Sequence, residues 1–134
     1  MSYGKIHGGN YSISIEDYED GNCVVLKRNA IQRGKLIDNT VLKTNNPSVI
    51  LCYADWCGHC ARFKPTFKNK YSKTISINNF TPCMMNSDDI DSSMNIRAFP
   101  TLMFYDKNGH LRFKQEGILN EDEILHILNK IKYE

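Results

Sequence analysis

The chain has 134 residues, 41% of them hydrophobic and 24% charged, with a formal net charge of +2. That is enough to bury one modest core and too little for two ordinary domains. The charge is small and scattered, which argues against nucleic acid or an anionic membrane as partner, and no run approaches the roughly 20 apolar residues of a transmembrane helix.

Residues 1–21 are rich in Gly, Tyr, Ser, Asp and Glu, with a brief alternation from Tyr11 to Ile15, and read as a partly ordered arm or one short edge strand. The domain proper is expected over 22–134. Cys23 to Lys27 has the β-branched content of a strand. Ile31, Leu36, Ile37, Val41 and Leu42 suggest a helix over Asn29 to Leu42, interrupted near Gly34. Asn45-Asn46-Pro47 is a turn, and Ser48 to Tyr53 is a continuous apolar run, as a central strand covered on both faces requires. Phe63, Phe67 and Tyr71 recur at a spacing of four, predicting a helix that Pro65 should kink. A strand from Phe80 to about Asn86 precedes an acidic helix start at Asp88-Asp89. Thr101–Tyr105 and Leu111–Lys114 flank Asn108-Gly109 as a hairpin. Asn120 and Glu123 stand at the capping-box positions of a C-terminal helix carrying Ile124, Leu125, Ile127, Leu128 and Ile131. The order β, (α), β, α, β, α, β, β, α gives a mixed sheet with helices on both faces.

Trp56-Cys57-Gly58-His59-Cys60 lies between the apolar strand and the aromatic helix. Two cysteines at this spacing can close a small disulfide ring. If the second begins a helix, the first sulfur meets unpaired backbone N–H groups and the positive end of the dipole, which favour its thiolate. That context makes the motif a redox site. A metal site built from Cys57, His59 and Cys60 lacks a second C-x-x-C or a suitably spaced His to complete four ligands. Of the other cysteines, Cys52 and Cys83 sit in apolar runs as small hydrophobes, and Cys23 reads as structural too. An odd count of five is a poor start for a secreted disulfide scaffold.

These elements, with Tyr53-Ala54, Pro65, Phe99-Pro100-Thr101, Asn108-Gly109 and Gly117, resemble the thioredoxin fold: a central mixed sheet flanked by helices, here with a short N-terminal extension. The loop Cys57-Gly58-His59-Cys60 resembles that of protein disulfide isomerase domains, which carry CGHC where ordinary thioredoxins carry CGPC. The resemblance covers about residues 23–132. It implies that Cys57 is the exposed nucleophile and Cys60 the resolving thiol, the two forming a redox-active disulfide. His59 would stabilise the Cys57 thiolate, and Trp56 and Gly58 would meet substrate together with Phe99 and Pro100. It further implies a cis Pro100 opposite the sulfurs, a Phe99 backbone able to pair with substrate, and an Arg97 that swings toward Cys60 to lower its pKa. No cofactor and no metal are implied. The partners are protein thiols or disulfides and a redox partner of unknown identity.

Two positions depart from the family. Where thioredoxins and disulfide isomerases bury an acid six residues before the first cysteine, paired with a lysine on the neighbouring strand, this chain has Leu51 and Met84. Replacing both members by apolar residues is physically coherent, since losing one alone would strand a charge. The buried proton acceptor for Cys60 is then missing.

The leading expectation is a thiol–disulfide oxidoreductase leaning toward oxidation or isomerisation. A thioredoxin-type reductase and a redox-switched peptide-binding module with little turnover are the alternatives. Residues 1–9 contain no apolar signal-peptide core, and Ile131-Lys132-Tyr133-Glu134 is no retention tetrapeptide. The sequence therefore reads as cytoplasmic by default, with a virion or another compartment open.

Overall fold

The computed structural model describes residues 5–7, 12–14, 19–20 and 22–133, with side chains from Asn22 onward. Lys5–His7 (β1) and Ser12–Ser14 (β2) form a separate antiparallel pair, and Glu19–Asp20 (β3) adds to the main sheet. Tyr11 and Ile15 of the N-terminal alternation lie outside the described residues. The remaining strands are Cys23–Leu26 (β4), Ile31–Gln32 (β5), Lys35–Leu36 (β6), Ser48–Tyr53 (β7), Thr81–Asn86 (β8), Thr101–Tyr105 (β9) and Leu111–Glu116 (β10). The helices are Asn39–Leu42 (α1), Gly58–Thr66 (α2), Ser72–Ile77 (α3) and Glu121–Lys132 (α4).

The six-stranded sheet runs β10-β9-β7-β8-β4-β3. Strands β4, β8 and β7 are parallel, while β9 and β10 run antiparallel to what precedes them. Strand β7 is buried along its whole length, as its unbroken apolar sequence requires. Its alternate residues supply both faces: Val49, Leu51 and Tyr53 go to one core, Ile50 and Cys52 to the other.

Helices flank both faces, but unequally. The first face packs Phe63, Phe67, Tyr71, Ile75, Ile124 and Leu128 from the long helices. Pro65 lies inside α2, and the helix widens into a π turn at Phe67–Tyr71 before α3 resumes. With no N–H to donate, Pro65 breaks the regular ladder, and the wider turn continues the helix past it. Phe63, Phe67 and Tyr71 are all buried, with Phe63 and Tyr71 edge to face at 5.6 Å. Asn120 and Glu123 form the reciprocal capping box at the start of α4.

The second face differs from the sequence reading in two places. The helix expected over Asn29 to Leu42 is instead the two-residue hairpin β5–β6 followed by the single turn α1. Asn29, Arg33 and Gly34 adopt positive φ, which ends any right-handed helix there. Ile31, Leu36 and Val41 are still buried, but as contacts of a tight cover over Ile50, Cys52 and Met103. The helix expected to start at Asp88-Asp89 is a pair of 3₁₀ turns, Ser87–Asp89 and Ser92–Met94. Asn86 and Asp91 side chains accept from backbone N–H groups two residues on, so each turn closes locally rather than propagating. Among the described residues no helix is long and apolar enough to cross a membrane.

Candidate active site

Strand β7 delivers the chain at Tyr53 to the loop 54–57, and α2 begins at once. Cys57 is the N-cap residue, with extended backbone, and its Sγ accepts from the Cys60 N–H at 3.4 Å. Its own N–H bonds Ala54 O at 3.2 Å, and its carbonyl accepts from Ala61 N–H at 3.1 Å. The sulfur thus sits where a Ser or Asp oxygen usually caps a helix. Cys57 is half-buried, Cys60 is buried, and both are free thiols.

The two thiols are pushed in opposite directions. The Cys57 pKa lies below the ordinary 9.0, first because the Cys60 backbone N–H donates to it, then through the Cys60 side chain, the His59 backbone N–H and the Arg62 charge. Burial raises the Cys60 pKa to about 11. The outer thiol is thus the more acidic of the two, and the inner one stays protonated at neutral pH.

Opposite the sulfurs the Phe99–Pro100 bond is cis, and the Cys57 thiol donates to Phe99 O at 3.4 Å. Pro100 is buried and its carbonyl accepts from Gly117 N–H at 2.8 Å, while Thr101 Oγ1 donates to Ala98 O at 2.7 Å. These bonds fix the 98–101 turn against the start of α2. Trp56 is 76% exposed and packs edge to face on Phe99 at 5.7 Å, so it forms a wall beside the sulfurs with one side left to solvent. Gly58 is exposed, and a Cβ built there would meet nothing within 4 Å.

The structure brings Trp56, Cys57, Gly58, His59, Cys60, Phe99 and Pro100 together. Arg97 is 79% exposed and pairs with Glu116 at 3.8 Å, on the near end of β10, rather than with Cys60. His59 is exposed, and its ring lies against Arg62, whose Nη2 is 2.9 Å from His59 Nδ1. The sequence reading did not single out Arg62, although its three-residue spacing from His59 on a predicted helix places the two on one face. Leu51 and Met84 are register partners in the floor beneath the helix, 0% and 1% exposed. Among the described residues no carboxylate is buried in their place; the buried polar side chains are Ser48, Ser72 and Thr101. Among the described residues no group of three His, Cys, Asp or Glu gathers to hold a metal ion.

Fold and site together are those of a thioredoxin-type domain. The family model described as Thioredoxin matches residues 29–130, and the chain belongs to that family. It is 26% identical over 125 residues to "Thioredoxin domain-containing protein R362" of Acanthamoeba polyphaga mimivirus, covering 87% of this chain and 34% of that protein. It is 27% identical over 112 residues to "Protein disulfide-isomerase C17H9.14c" of Schizosaccharomyces pombe, covering 80% and 31%. It is 31% identical over 87 residues to a thioredoxin of Borreliella burgdorferi, covering 63% and 72%. The chain thus spans about a third of the length of the first two. The solved thioredoxin of Malassezia sympodialis (Mala s 13) superposes with a TM-score of 0.63 at 23% identity, covering 84% of this chain and 92% of that one, a likeness of fold.

Proposed function

We propose that residues 22–134 form a thiol–disulfide oxidoreductase domain acting on protein substrates and leaning toward oxidation and isomerisation. The observation that carries this reading is the position of Cys57 Sγ: capping α2, on the Cys60 N–H, and facing Phe99 O across the cis-proline turn. In the reducing direction the Cys57 thiolate attacks a substrate disulfide, forming a mixed disulfide and expelling one substrate thiolate. Cys60 then loses its proton and attacks Cys57 Sγ, leaving the Cys57–Cys60 disulfide and a second substrate thiol. Run backward, the same two exchanges oxidise a substrate dithiol. A redox partner resets the pair, and no cofactor is required.

The lean toward oxidation rests on what stabilises the dithiol form. A helix N-terminus and a nearby cation both favour the Cys57 thiolate, and a stabilised reduced form makes the disulfide a stronger oxidant. The CGHC loop and the isomerase names among the relatives point the same way. The Phe99 backbone offers a substrate segment one strand's worth of main-chain pairing, with Trp56 and Gly58 beside it.

The test is the reduction potential of the Cys57–Cys60 pair, read by equilibrating the protein in glutathione buffers and trapping free thiols. A value near that of the isomerase, about −180 mV, supports this reading. A value near that of thioredoxin, about −270 mV, makes the chain a reductase. No reversible couple would leave a peptide-binding module.

A further inference from the structure

His59 is the residue that distinguishes this loop, and a charged imidazole is the natural agent for holding the Cys57 thiolate. Its surroundings oppose that charge. Arg62, one turn along α2, places Nη2 2.9 Å from His59 Nδ1. A guanidinium carries only donors, so the bond exists only if Nδ1 offers its lone pair. Protonating Nδ1 would break the bond and set two cations in contact.

We infer that Arg62 is a positioning residue of the exchange site: it donates to His59 Nδ1, holds the imidazole as the neutral Nε2–H tautomer, and takes over from it as the fixed positive charge at Cys57. The inference rests on the reading of Cys57 as the exchanging thiol. The other groups around His59 leave the assignment intact. On α2 its ionisable neighbours besides Arg62 are the two thiols. In the preceding loop Asp55 accepts from Asn86 Nδ2 at 3.1 Å, and Lys64, farther along the helix, sits over the Tyr53 ring at 4.2 Å. The facing turn contributes Phe99 and Pro100, and its one charged side chain, Arg97, is paired with Glu116. The Cys60 hydrogen bonds come first among the causes that lower the Cys57 pKa, and the His59 backbone N–H and the Arg62 charge follow.

The consequence concerns pH. An imidazolium would lose its charge as pH rises through the neutral range, weakening its hold on the thiolate. A guanidinium keeps its charge throughout. The Cys57 thiolate is then stabilised equally on both sides of pH 7, and His59 is left with an Nε2–H donor to offer a substrate carbonyl or sulfur.

The test combines nitrogen-15 NMR of the reduced full chain with the rate of Cys57 alkylation by iodoacetamide between pH 5.5 and 8. His59→Asn identifies the His59 signals. The expected wild-type result is the neutral Nε2–H tautomer, which Arg62→Met no longer fixes. In Arg62→Met, Cys57 alkylation at pH 7.5 falls about two- to threefold, as for loss of one exposed charge. Arg62→Lys, which keeps a donor-only cation, restores the rate. An Nδ1–H tautomer in the wild type, or one tautomer population shared by wild type and Arg62→Met, would overturn the inference. Finding that result beside a reversible Cys57–Cys60 couple leaves the oxidoreductase reading standing. Absence of the couple removes that reading, while the His59 tautomer still decides the Arg62 contact.

Discussion

Leu51 on β7 and Met84 on β8 stand directly opposite one another, both sealed from solvent, in the core that also holds Cys60. The family resemblance expects a carboxylate and a lysine at these places. Packed apolar partners replace an ion pair at little net cost, but they also remove a base from beneath the resolving thiol. The double variant Leu51→Glu/Met84→Lys should return one. With a chromogenic thiol held in a mixed disulfide on Cys57, its release at pH 7 should accelerate about tenfold or more, the lower range of general-base effects. Leu51→Glu alone should fold less stably, by a few kcal/mol, because its carboxyl has no partner. An unchanged release rate in a folded double variant would mean that Cys60 already has a proton acceptor.

The opposed shifts of the two thiols make a second expectation about pH. Cys57 is lowered below 9.0, so its alkylation should reach half-maximum below that value. Cys60 is raised to about 11, so its thiolate is scarce at pH 7 and grows as pH rises. Release from the mixed disulfide should therefore climb about tenfold per pH unit from 7 to 10, following the thiolate fraction. Rapid-quench measurement of both steps separates them, and a plateau in release near pH 7 would contradict the assignment.

Selectivity among the five cysteines follows from the same burial. Cys52 is held up to about 12 and Cys83 well above its ordinary value, in both cases by burial in the second face of the sheet. In the folded protein Cys57 should be alkylated at least about a hundredfold faster than Cys52 or Cys83. Mass spectrometry of a time course read peptide by peptide checks the order.

Gly109 supplies a prediction about stability. Its φ is +87°, and a Cβ built there would lie 2.2 Å from the Leu36 carbonyl oxygen, a backbone atom with nowhere to go. Its own carbonyl accepts from Leu36 N–H at 2.9 Å. Gly109→Ala should cost about 2–4 kcal/mol in denaturant unfolding, combining left-handed strain with the clash. Gly34 has φ +78° and open space around the same position, so Gly34→Ala should cost only about 1–2 kcal/mol. Equal losses would show that the clash is relieved by movement of β6.

Much of this architecture is legible in the residues. The unbroken apolar stretch of β7, the Asn108-Gly109 hairpin and the Asn120/Glu123 capping box each specify local structure by themselves, and all three form as read. The cysteine loop and Phe99-Pro100 likewise meet across the site. The segment from Asn29 to Leu42 is illegible for a physical reason. Ile31, Leu36 and Val41 are buried by the sheet they cover, and the positive φ at Arg33 has no signature in an arginine. The Asp88-Asp89 stretch fails similarly, because Asn86 and Asp91 accept local N–H groups and close short turns where acidic residues suggested a helix start. At the site, the contact that matters most for His59 was within reach as an i, i+3 pair, but an exposed arginine invites no attention until its partner is seen.

The unequal covering of the sheet gives the molecule two mechanical halves. Long helices with interlocked rings clamp the half beneath Cys60, whereas the short β5–β6 hairpin, a single helical turn and two 3₁₀ turns close the other. Covers made of such short elements open by sub-global excursions, well below the free energy of complete unfolding. Backbone amides of β5, β6 and α1 should accordingly exchange with solvent deuterium while those of β7 and the Phe63–Ile75 helical stretch stay protected. Cys57 and Cys60 are thereby mounted on the half expected to open last.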